Sequence, residues 1–220
     1  MTKTGEAAKP PMDMEEHADN ALAWIQANSR QASIAGIVLA VVVASGLLWR
    51  SASAKKEGNA GRALSEAQRS FVAGNLPLAQ SDLQKVVQQY GGTVSGDQAR
   101  ILLAQVYFDQ KKVDEGMKVL DGVDASGPFK ATLHVVRAGG YEQGDKEAEA
   151  AAEFLRAADA AVAEADKSSY RADAARALGL AGKKDEALKI WKEMAADENN
   201  PLSAEAKLRM GELMAAPAKG

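Results

Sequence analysis

The chain is 220 residues long, with 27 Lys and Arg against 30 Asp and Glu, two histidines and no cysteine. Without cysteine there is no disulfide, zinc–thiolate site or thiol nucleophile, and the balanced charge beyond residue 50 lacks the basic stripe that nucleic acid demands. The length left after the first 49 residues suffices for one domain with a sizeable core.

In chain order, residues 1–20, with Pro10-Pro11 and scattered charge, read as a disordered tail, and residues 15–29 could form a short amphipathic helix. Residues 31–49 carry no charge, and their centre reads Ile37-Val38-Leu39-Ala40-Val41-Val42-Val43. At about 1.5 Å of rise per residue, such a helix matches a hydrocarbon layer roughly 30 Å thick. Trp24 and Trp49 sit near its ends, and Arg30 and Arg50 can reach headgroups. We read the stretch as a membrane anchor against lipid. Gly36, Ala40 and Ala44 place small side chains on one face, where another span could pack. Two readings compete with an anchor. Ser51-Ala52-Ser53-Ala54 resembles a signal-peptide cleavage site, although the preceding region is long and acidic rather than short and basic. A buried core helix would normally carry a polar stripe, which is missing here.

From about Glu57 onward every cue is helical: Ala, Leu, Glu, Lys, Gln and Arg dominate, with no valine-rich alternating run. Breakers at Gly91-Gly92, Gly122, Gly127-Pro128, Gly139-Gly140, Gly144 and Gly182 divide the segment into short helices. One unit repeats. Gly74 opens a helix carrying Ala79, Leu83 and Val86, and Lys111 opens one carrying Gly116, Leu120 and Val123. Gly144 opens a third, with Phe154 displaced by one position, and Gly182 a fourth with Ala187, Trp191 and Met194. Intervals of 37, 33 and 38 residues bracket the 34-residue tetratricopeptide period. A small residue lets paired helices approach, and a larger one four positions on fills the space beside it. The expected fold is all-α: one transmembrane helix, then an α-solenoid of about four degenerate helix pairs, with residues 203–214 as a capping helix. An irregular helical bundle is the other reading. The expected division is 1–20 tail, 21–52 juxtamembrane and transmembrane helix, and 53–220 repeat domain.

Catalytic chemistry finds no foothold. His17 and His134 are the only histidines, there is no Gly-x-Ser-x-Gly elbow, and no phosphate loop or dinucleotide fingerprint occurs. Asp114-Glu115 and Asp185-Glu186 stand at helix starts, where carboxylates favour the positive dipole end. No enzyme, cofactor, metal, nucleic acid or small-molecule substrate is expected. Binding is expected on the face that stacked first helices create. Aligned on their turns, Phe71, Phe108 and Tyr141 take one position in successive first helices and would form an aromatic stripe. Gln68, Gln105 and Arg176 would supply hydrogen bonds beside it. His134 is either a half-buried packing residue or a donor in that groove. The competing reading of the rings is core packing between repeats.

The acidic tail, the span ending Leu47-Leu48-Trp49-Arg50, the degenerate repeats and the segment Val136-Arg137-Ala138-Gly139-Gly140-Tyr141-Glu142-Gln143-Gly144-Asp145 together resemble the bacterial YfgM-type inner-membrane proteins, ancillary subunits of the SecYEG translocon. The resemblance implies a periplasmic domain that associates with the translocon and with chaperones handling exported proteins. The flanking charges imply the reverse orientation: Arg30 alone precedes the span, whereas Arg50, Lys55, Lys56 and Arg62 follow it, which would hold the domain in the cytoplasm. An accessory subunit of another inner-membrane complex, respiratory or photosynthetic, is the alternative function, and a processed soluble periplasmic protein is a third.

Overall fold

The computed structural model describes Trp24 and residues 26–215, so the tail expected over 1–20 lies outside the described residues. The chain divides between Ala54 and Lys55 into two compact units. Helix α1 (Ser29–Val72) begins in the first unit. By length and composition it is apolar enough to cross a membrane, and none of its most apolar window is buried. Ile37, Leu39 and Leu48 lie open to their surroundings.

The second unit is all-helical among the described residues. The last turns of α1 pair with α2 (Leu76–Tyr90), α3 (Val94–Asp109) with α4 (Val113–Leu120), α5 (Lys130–Gln143) with α6 (Glu147–Ala160), and α7 (Glu164–Leu180) with α8 (Lys184–Ala196). Helix α9 (Ser203–Ala215) closes the array. The expected solenoid of four pairs and a cap is therefore the fold.

Each pair turns through one residue in the left-handed region: Gly74, Lys111, Asp145 and Gly182, at intervals of 37, 34 and 37 residues. The amide just beyond each folds back onto the preceding helix. Asn75 donates to the Ser70 carbonyl (3.1 Å), Lys112 to Tyr107 (2.9 Å), Lys146 to Tyr141 (3.0 Å) and Lys183 to Leu178 (2.9 Å). These bonds satisfy carbonyls that the helix end would leave bare.

Counting from that residue puts the second helices in one register. Five positions on lie Ala79, Gly116, Ala150 and Ala187; nine on lie Leu83, Leu120, Phe154 and Trp191; all eight are buried. The displacement expected for Phe154 disappears, because the third turn is centred on Asp145 rather than Gly144. Small residues admit the partner helix, and the larger ones fill the contact.

Gly139 and Gly140 do not break a helix; they lie inside α5. A Cβ on Gly140 would come 2.6 Å from Phe108 Cζ and 2.8 Å from Met117 Sδ, and one on Gly116 would run into the same ring. Gly140 is thus a packing requirement. Three apolar clusters fill the unit, around Leu83 and Leu103, around Phe108 and Leu133, and around Trp191 and Leu178. Each draws on more than one pair, so neighbouring repeats share their core.

Candidate functional site

One face of the first helices is assembled from repeated register positions. Six residues before each left-handed turn stand Gln68, Gln105, Gly139 and Arg176; two before it stand Val72, Asp109, Gln143 and Leu180. These positions line three concavities. Gln68 and Val72 border the first, of about 400 Å³, on α1. Gln105 and Asp109 face Gly139 and Gln143 across the second, of about 240 Å³, between α3 and α5. Arg176 and Leu180 face Arg209, Glu212 and Leu213 across the third, of about 360 Å³, between α7 and α9, with Trp191 as its floor.

The three expected polar residues therefore divide among three concavities: Gln68 and Gln105 are half-buried there, and Arg176 is exposed. The aromatic residues do not form one stripe. Phe71 and Phe108 both lie three residues before their turns, but Asp145 advances the third turn by one, so Glu142 takes that place and Tyr141 aligns with Tyr107. Phe108 borders the second concavity yet is only 5% exposed, its ring held between Gly116 and Gly140. Phe71 and Tyr141 are half-buried against the first and last apolar clusters. Their surroundings are those of core rings.

His134 is turned into the α5–α6 contact. Its Nδ1 lies 2.6 Å from Glu153 Oε2, with the two side chains 12% and 4% exposed. The other Glu153 oxygen accepts from Arg156 Nη1. This is a paired polar group inside one repeat, as a buried carboxylate requires, and not a groove donor. In α1, Gly36, Ala40 and Ala44 are all exposed, and a Cβ on Gly36 would meet nothing within 4 Å.

Carboxylates gather around the third concavity. Arg176 Nη1 contacts Asp173 Oδ1 at 2.8 Å, and its Nε stands 4.0 Å from Glu205 Oε1. Burial pushes the Asp173 carboxyl above its ordinary value; Arg176 and its hydrogen bond oppose the rise, and Glu205 adds to it. The Glu142 carboxyl is raised by desolvation first, then by Glu147 and Asp173, against Arg176. The face can therefore offer hydrogen-bonding amides, an apolar cleft and an excess of carboxylates. Among the described residues, no cluster of three or more His, Asp and Glu side chains could hold a metal ion. The sequence does not group Glu142, Asp173 and Glu205, because they stand on three helices, α5, α7 and α9, that only packing brings together.

The tetratricopeptide repeat-like domain family matches residues 49–174. No curated protein matches the sequence. Among solved structures, the fold is similar to the nearly identical TPR-like repeats of a Podosopora anserina protein described as a kinesin light chain. Identity is 16%, the alignment covers 71% of this chain and 86% of that one, and the TM-score is 0.57. A variant of the same repeats aligns at 15% identity over 71% and 85%, with a TM-score of 0.56. These likenesses concern the fold.

Proposed function

This chain belongs to the tetratricopeptide repeat-like domain family, and we propose that it is a non-enzymatic, membrane-tethered scaffold that holds partner proteins on the face of its first helices. The observation that carries the reading is the recurrence of the same register positions in three successive concavities. A surface repeated along a solenoid suits an elongated ligand gripped at several points. The apolar half of α1 supplies the tether, and Gly36, Ala40 and Ala44 would be where a neighbouring span approaches.

The partners we propose are the SecYEG translocon and periplasmic chaperones, on the resemblance to the YfgM-type proteins, with the repeat domain in the periplasm of an inner-membrane protein. The test is a photo-crosslinker at Gln143, exposed on the second concavity, in native membranes. Adducts with translocon subunits or chaperones are expected. Adducts confined to another membrane complex would replace the partner, and none with any protein would remove the scaffold reading. Protease added to intact spheroplasts should digest the repeat domain; full protection would place it in the cytoplasm.

A further inference from the structure

One register position changes character along the first helices. Three residues before the turn, α1 and α3 carry Phe71 and Phe108, which fill the space beside their helices; α5 carries Glu142 and α7 carries Gly179, with no side chain at all. A Cβ built on Gly179 meets nothing within 4 Å. Glycine in a helix costs about 0.5–1 kcal/mol relative to alanine, and here no close neighbour demands it. What it leaves is the cleft of about 360 Å³ between α7 and α9. The cleft is apolar at its floor and lip: Trp191 is 1% exposed, while Leu180 on the rim is 74% exposed. Arg176, Arg209 and Glu212 line it; Asp173 and Glu205 pair with Arg176, and Glu205 and Glu212 with Arg209, so three carboxylates attend two guanidinium groups.

We propose that this cleft receives a bulky aromatic side chain from a partner polypeptide, flanked in that partner by Lys or Arg. The partner's ring takes the space that Phe71 and Phe108 fill from within in the first two repeats. Its cationic neighbours meet Glu212 at the cleft and the Asp173 and Glu205 carboxylates beside it, where partial desolvation strengthens the attraction. This deepens the scaffold reading and rests on it: it names what one of the three concavities recognises.

The test uses the full-length protein in detergent and a fluorescent blocked peptide, Ala-Lys-Phe-Lys-Ala, read by anisotropy. Binding should weaken about tenfold or more when the peptide's Phe becomes Ala, as burial of a ring implies, and should also weaken when its lysines become Glu. In the protein, Gly179→Phe should abolish binding while the helical melt stays or rises, because the new ring occupies the cleft itself. Leu180→Ser, at an exposed rim position, should weaken binding without a core penalty. Unchanged affinity in Gly179→Phe, or equal affinity for the Glu peptide, overturns the proposal. So does a wild-type dimer that Gly179→Phe dissociates, since the occupant would then be a second copy. Crosslinks at Gln143 that persist while the peptide fails would leave the scaffold standing and remove this occupant alone.

Discussion

Glu57 shows how one side chain can join distant segments. From α1, one of its carboxylate oxygens accepts the Val94 amide and the other the Ser95 amide, both at 2.9 Å, and Ser95 Oγ donates to it as well. Thr93 Oγ1 accepts the Gly96 amide at 3.0 Å. The start of α3 thus has its bare N–H groups satisfied and a negative charge at its positive end. Glu57→Ala should cost about 1 kcal/mol, a fall of roughly 2–4 °C in the melting temperature of a domain this size. Glu57→Gln, which keeps an acceptor, should lose less. Scanning calorimetry of the two variants checks this; an unchanged melt for Glu57→Ala would make the contact energetically idle. No periodicity connects Glu57 to Ser95, 38 residues apart, so the contact is not legible in the sequence.

At the scale of elements, the helix starts were the most legible feature. Asp114-Glu115 and Asp185-Glu186 do stand in the first turns of α4 and α8, because charge and dipole act locally. The turns were legible to within one residue, and that residue mattered. Lys111 and Asp145 take positive φ, 62° and 53°, where the other two repeats use glycine. A side chain there strains against its own backbone. Lys111→Gly and Asp145→Gly should each stabilise the domain by about 0.5–1 kcal/mol, strain relief offsetting the added freedom of the unfolded chain. Urea midpoints that fall instead would contradict the assigned turn. Gly139-Gly140 was illegible for a different reason: glycine signals either a bend or a close approach, and only the Phe108 ring, from another repeat, decides between them. Likewise, nothing local told that Phe108 would be enclosed or that His134 would turn towards Glu153.

For the whole repeat domain, the crowded carboxylates imply a pH dependence. Glu142 and Asp173 have folded-state values raised above 4.5 and 3.8. Below those ordinary values both states carry the proton, and the groups' favourable contribution is fully present. As pH rises through the raised folded values that contribution is lost, because the folded chain holds the proton more tightly than the unfolded one. Glu142→Gln removes one such group without breaking a direct ion pair among those of Asp173 and Arg176. It should melt above the wild type at pH 7, with the gap closing below about pH 4.5. A gap that widens in acid would reverse the sign assigned here.

The ring of Phe108 belongs to the second pair by sequence, yet Gly116 of that pair and Gly140 of the next both yield room to it. Repeats of this kind are commonly treated as interchangeable bricks, to be duplicated, deleted or swapped. Here the seam between the second and third bricks is keyed, since any residue larger than glycine on the far side forbids the lock from closing. A graft that cuts the chain between residues 120 and 130 must therefore carry both glycines or shrink the phenylalanine.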